Sequence, residues 1–179
     1  MLRSLSATLL LTLLATACCD PQRTAPDASG TGAPAVPEGF VSGTIVTLRN
    51  SEGRYVEVQG EGELRGVLIA SRDSAVEPAE FRVEQQSDGR IGLRVVGGKF
   101  VCADRDKGGL LVADRDYVGD WESFDLVPVG DDVFGLRTTH GKYVTSDLGI
   151  EGPARGRLIA DRDQLGEWER FTIRTAEPR

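Results

Sequence analysis

After residue 41, apolar residues either alternate with polar ones or cluster in runs of four to six, and turn-forming residues separate the runs. No 3.6-residue period is sustained there, so the pattern predicts short strands joined by hairpins rather than helices. Asn50-Ser51-Glu52-Gly53, Gly97-Gly98 and His140-Gly141 are hairpin signals. Ser87-Asp88-Gly89 and Gly130-Asp131-Asp132 interrupt the pattern at wider intervals and divide it into larger units.

Those units are three copies of one string. Leu48, Leu93 and Leu136, each followed by Arg, stand seven residues before the aromatics Tyr55, Phe100 and Tyr143. Each aromatic belongs to a Gly-basic-aromatic-Val run: Gly53–Val56, Gly98–Val101 and Gly141–Val144. Further on come Leu68-Ile69-Ala70-Ser71-Arg72-Asp73, Leu111-Val112-Ala113-Asp114-Arg115-Asp116 and Leu158-Ile159-Ala160-Asp161-Arg162-Asp163. Nine residues after those arginines stand Phe81, Phe124 and Phe171. The copies span about 43–88, 89–130 and 131–174, and only the spacing from aromatic to arginine varies, at 17, 15 and 19 residues. Length changes therefore fall in a single surface loop per copy: 59–67, 103–110 and 147–157. Each copy predicts four strands, twelve in all, the spacing of an all-β barrel or sandwich. A propeller usually needs more blades, and a solenoid needs caps. Three four-stranded units closing on a pseudo-threefold axis resemble a single β-trefoil, expected over residues 42–175 and large enough for one core.

The motifs carry a family resemblance. Gly-Lys-Tyr/Phe-Val followed by Leu-x-Ala-x-Arg-Asp-x-x-Gly-x-Trp-Glu-x-Phe resembles the fascin-like, actin-cross-linking-type branch of the β-trefoils. The second copy carries its latter half as Ala113 to Phe124, and the third as Ala160 to Phe171. The first departs from it, with Val76-Glu77-Pro78-Ala79 in place of Gly-acid-Trp-Glu. The resemblance implies the fold. It also implies a binding role, since the family includes actin-bundling proteins and bacterial modules attached to polysaccharide-acting enzymes. It does not by itself fix the function.

The first 41 residues have a different character. Arg3 precedes a stretch from Leu5 to Leu14 that is apolar except for Ser6, Thr8 and Thr12, and Ala15-Thr16-Ala17 follows. This is the layout of an export signal over residues 1–17, too short to span a bilayer. Leu14-Ala15-Thr16-Ala17-Cys18 resembles a bacterial lipobox, with the usual Leu one place further from the cysteine than in the strictest pattern. The resemblance implies diacylation of Cys18 and attachment to the bilayer of a bacterial envelope, with the outer membrane favoured; two acyl chains anchor stably. Residues 18–41 are rich in Pro, Gly, Ala and Ser. They predict a flexible tether with a reach of roughly 25 Å.

Composition narrows the function. The chain has 179 residues and a formal net charge of −7, and residues 42–174 alone carry 18 basic and 24 acidic side chains. So acidic a domain is poorly suited to nucleic acid, which needs clustered Lys and Arg. One histidine and three cysteines leave little for a metal site or a disulfide framework, and no motif asks for a cofactor. His140 reads as a solvated turn residue and Asp104-Arg105-Asp106 as a solvated turn. Cys102 shares its repeat position with Glu57 and Thr145, which predicts a half-exposed free thiol.

Candidate ligand contacts are Trp121 and Trp168, each flanked by acids, and the long third loop with Arg155 and Arg157. The pairs Asp114/Asp116 and Asp161/Asp163 are further candidates. Paired carboxylates would also suit a hydrolase. Yet Arg72, Arg115 and Arg162 and the following Asp73, Asp116 and Asp163 recur in every copy, which points to a structural role. Tyr55, Phe100 and Tyr143 read as barrel packing, as do Phe81, Phe124 and Phe171. The sequence thus describes a non-catalytic binding or adaptor module whose ligand is a glycan or a protein surface, glycan being favoured, with a hydrolase as the rival class. Mass spectrometry of the native N-terminus is expected to find a diacylglyceryl-modified Cys18, and an unmodified cysteine there would reject the anchor.

Overall fold

The computed structural model describes residues 36–74 and 80–176. The expected export signal, Cys18 and most of the expected tether lie outside the described residues, as does the departure at residues 76–79. Twelve strands follow in order: β1 (Ile45–Arg49), β2 (Tyr55–Val58), β3 (Leu68–Arg72), β4 (Glu80–Gln85), β5 (Ile91–Val95), β6 (Phe100–Asp104), β7 (Leu110–Arg115), β8 (Phe124–Gly130), β9 (Val133–Thr138), β10 (Tyr143–Asp147), β11 (Arg157–Arg162) and β12 (Arg170–Thr175).

Six of them close a barrel. β1 pairs with β4, β4 with β5, β5 with β8, β8 with β9, β9 with β12, and β12 returns to β1, all antiparallel. The other six form three hairpins, β2–β3, β6–β7 and β10–β11. A six-stranded barrel capped by three hairpins on a pseudo-threefold axis is the β-trefoil. Closure leaves the barrel strands with no free edge.

Alternation explains the core. On each barrel strand one face is buried, giving Val46 and Leu48 on β1, Phe81 and Val83 on β4, and Phe171 and Ile173 on β12. Phe81, Phe124 and Phe171 are completely buried, each contributing about 1.5–3 kcal/mol relative to exposure. The hairpins add Val56, Val101 and Val144 with Leu68, Leu111 and Leu158 to the same cluster.

The repeated aromatics have a distinct use. Each hairpin carries a register shift at the same place, between Tyr55 and Val56, Phe100 and Val101, and Tyr143 and Val144. The bulge turns the aromatic toward the arginine of the preceding barrel strand. Arg49, Arg94 and Arg137 lie over the rings of Tyr55, Phe100 and Tyr143, with the guanidinium carbon 4.0, 5.3 and 5.6 Å from the ring centres. The Leu-Arg dipeptide thus divides its work, with leucine facing the core and arginine covering the barrel rim.

The three hairpins meet through backbone. The Ala70 N–H donates to the Gly156 carbonyl, Ala113 to Gly66 and Ala160 to Gly109, each at 2.8 Å. Every copy therefore donates to another in a closed cycle. All three glycines have positive φ, of 83°, 90° and 81° for Gly66, Gly109 and Gly156. A Cβ at Gly109 or Gly156 would stand 2.5 or 2.6 Å from the facing alanine carbonyl, whereas at Gly66 the distance is 3.9 Å. Conformation favours glycine at all three positions, and close approach requires it at Gly109 and Gly156. Gly109→Ala and Gly156→Ala are each expected to destabilise the fold by about 1–3 kcal/mol, and Gly66→Ala by less because only the strain term applies. Urea denaturation of the three variants checks this order.

Candidate functional site

Ser71-Arg72-Asp73 and the two Asp-Arg-Asp strings end the hairpins β2–β3, β6–β7 and β10–β11, and ion pairs account for their shared Arg-Asp. The second acid pairs with the basic residue of the Gly-basic-aromatic-Val run: Asp73 with Arg54, Asp116 with Lys99, and Asp163 with Lys142. These pairs are largely exposed, worth about 0–1 kcal/mol each, and they staple the two strands of a hairpin.

The arginine reaches a carboxylate held low in the structure. Arg115 Nε lies 3.5 Å from Glu122, and Arg162 Nε lies 3.9 Å from Glu169. Glu122 and Glu169 are buried and also accept the N–H groups of Gly119 at 2.9 Å and Gly166 at 2.7 Å. The Gly-acid-Trp-Glu run is therefore a loop closed on itself, with the glutamate serving both its own turn and the arginine. In the first copy Arg72 pairs with Glu57 instead. Asp114 contacts Arg115 at 3.1 Å, and Asp161 contacts Arg162 at 3.4 Å.

Two sequence expectations need correction. Cys102 is fully buried, not half exposed. Glu57, the residue that suggested exposure, is itself buried because Arg72, Ser71 and Gln59 all reach its carboxylate. A glutamate at a repeat position marks exposure only where no such partners converge on it. Nor is Asp104 solvated. It is 4% exposed and caps the short 3-10 turn Arg105–Lys107, accepting the Asp106 N–H at 3.0 Å and meeting Lys107 at 3.0 Å. Burial alone would raise its pKa, but Lys107 and the backbone N–H groups of Asp106 and Lys107 outweigh this and hold the carboxyl below its usual range. Arg105 and Asp106 remain exposed.

That turn borders a cleft of about 470 Å³ between the second and third copies. The second copy contributes Ala103, Arg105, Gly108, Gly109, Asp120 and Trp121. The third contributes Thr138, Thr139, His140, Lys142, Ala160 and Asp161. The cleft lies beside the Ala160–Gly109 contact, so hairpin closure sets its geometry. Arg105 Nη1 lies 3.2 Å from His140 Nε2. The Thr139 hydroxyl donates to the Asp120 carbonyl at 2.9 Å and ties the two walls together. Trp121 is half-buried. Its inner side packs on Val67, Ile69, Cys102 and Val112, and its carbonyl accepts the Ala103 N–H at 2.8 Å.

Of the residues singled out in the sequence, the cleft gathers only Trp121 and Asp161. Trp168 lies elsewhere, 38% exposed, where a Cβ on Gly149 would approach its ring to 3.7 Å. Arg155 grips Glu52 through both nitrogens, at 2.7 and 2.9 Å, and Arg157 pairs with Asp147 at 3.2 Å. Arg105, Thr139, His140 and Lys142 complete the cleft and were not read as contacts. The available signal was the turn position that differs in every copy, as Glu52, Gly97 and His140.

No protein-family model and no curated protein matches the chain. Solved structures do. A designed threefold-symmetric protein, ThreeFoil, shares 19% identity over 72% of this chain and 96% of its own, with a TM-score of 0.61. SeviL, solved bound to asialo-GM1 saccharide, shares 16% identity over 76% of this chain and all of its own, with a TM-score of 0.59. An endo-β-galactosidase from Clostridium perfringens that releases GlcNAcα1-4Gal shares 13% over 75% of this chain and 33% of its own, with a TM-score of 0.60. At these identities the likeness is one of fold, and the fold is the β-trefoil.

Burial, and next the neighbouring Glu122 carboxylate, push the Cys102 thiol up to about 12. At pH 8 it stays protonated, and only a thiolate attacks alkylating reagents. Iodoacetamide is expected to leave Cys102 unmodified in the native protein and to modify it fully in urea; rapid native labelling would contradict its placement.

Proposed function

We propose that the chain is a non-catalytic carbohydrate-binding β-trefoil whose ligand occupies the cleft between the second and third copies. The observation that carries this reading is the composition of the cleft. Trp121 offers an apolar face, and Arg105, Asp120, Thr139, His140, Lys142 and Asp161 offer donors and acceptors around it. A pyranose has a C–H face that lies on an aromatic ring and a rim of hydroxyls that need directed hydrogen bonds. SeviL, with a similar fold, binds a saccharide, which supports the same ligand class here. The Gly-Lys-Tyr/Phe-Val and Gly-acid-Trp-Glu runs support the fascin-like branch of the fold. The export signal over residues 1–17 and the lipobox-like run ending at Cys18 support an exported protein anchored by lipid in a bacterial envelope, with the outer membrane favoured. The domain then works as a tethered binding or adaptor module.

A glycan array probed with the purified chain tests this. Binding to at least one glycan class is expected. Trp121→Ala is expected to weaken it about tenfold or more. Trp168→Ala, outside the cleft, leaves it unchanged. Absence of binding to every glycan, or equal loss in both variants, would remove the reading.

A further inference from the structure

The three copies place the same turn at three junctions, and comparing those junctions shows what the cleft lacks. Where the third copy meets the first, the turn residue is Glu52, and Arg155 from the β10–β11 loop grips its carboxylate through both nitrogens. Where the second copy meets the third, the turn residue is His140, and Arg105 from the β6–β7 loop meets an imidazole rather than a carboxylate. In the second copy the turn residue is Gly97, with no side chain to offer. One junction thus carries its own guanidinium–carboxylate pair, and the other presents the guanidinium without the carboxylate.

The remaining charges sharpen the contrast. Lys142 is answered by Asp163 at 2.6 Å, and Asp161 by Arg162 at 3.4 Å. Arg105 is the cation of the cleft that no carboxylate among the described residues answers. Its guanidinium has five N–H donors in a fixed fork suited to a planar carboxylate or a sulfate, and one donation to His140 leaves most of them free.

We propose that the glycan taken by this cleft bears an acidic group, a carboxylate or sulfate, which seats on Arg105 beside His140 in the position that Glu52 fills against Arg155 at the other junction. This inference rests on the glycan reading above and narrows its ligand class. Trp121 holds the sugar ring, and Asp120, exposed beside it, accepts hydroxyls.

The test compares matched pairs of oligosaccharides bound to the full chain: uronic-acid-terminated, sialic-acid-terminated and sulfated glycans, each against its carboxyl-reduced or desulfated counterpart. A preference for the acidic member on the order of tenfold is expected, since charge-assisted bonds are about twice as strong as neutral ones. The preference shrinks as salt is raised, and the three acid types show which source of charge fits. Arg105→Gln is expected to bring the ratio toward one. His140→Glu, which supplies an internal carboxylate as at Glu52, is expected to do the same. Arg174→Gln, which disturbs only an exposed pair with Asp132, keeps the ratio. Thermal melting of each variant confirms folding. Equal affinity for acidic and neutral members, or a preference that survives Arg105→Gln, overturns the proposal while leaving the glycan reading intact. Binding to no member of any pair overturns both.

Discussion

The three backbone hydrogen bonds at the pseudo-threefold axis constrain everything else in the molecule. Each joins an alanine N–H of one copy to a glycine carbonyl of another. A backbone bond of this kind needs two main chains in direct approach, which leaves no room for a side chain at Gly109 and Gly156 and fixes the spacing of all three hairpins at once. The leucines two residues after the glycines then point into the core beside the three buried phenylalanines. Hairpin spacing in turn determines how far apart the loop of one copy and the turn of the next can stand. The cleft is the gap left at one such junction, so its dimensions belong to the fold and its chemistry to the residues that differ between copies.

Charge is distributed on the same plan. Residues that repeat are occupied with one another, through the staples of Asp73, Asp116 and Asp163 and the buried glutamates beneath Arg115 and Arg162. The cleft adds to the repeated Trp121, Lys142 and Asp161 side chains whose equivalents have diverged, His140 among them. This division explains why the Asp-Arg-Asp strings, which look chemically loaded in the sequence, serve chiefly to hold hairpins. It also explains why the single histidine, unremarkable as a turn residue, borders the cleft.

The fold was legible because its signals repeat. Three aromatics, three arginines and three phenylalanines in step define twelve strands and a threefold closure without any long-range information. The site was legible only for Trp121 and Asp161, because reading repeats compares equivalent positions whereas a junction brings together non-equivalent ones. Arg105 and His140 stand 35 residues apart, and nothing local to either announces the other. The burial of Cys102 escaped for a related reason: an equivalent glutamate suggests solvent unless one knows that Arg72 folds over it. The glycines at the axis were readable in principle. Gly66, Gly109 and Gly156 each precede the Leu-x-Ala run by two residues, and that regularity was as strict as the ones used.

The pairing of β1 with β12 has a consequence for the order in which the protein can be made. Val46 lies opposite Thr175, so the first strand of the barrel, which also pairs with β2 and β4, finds β12 only about 130 residues later. A partly synthesised chain has every local hairpin available but no closed sheet, and a chain dominated by such distant pairings acquires its structure late.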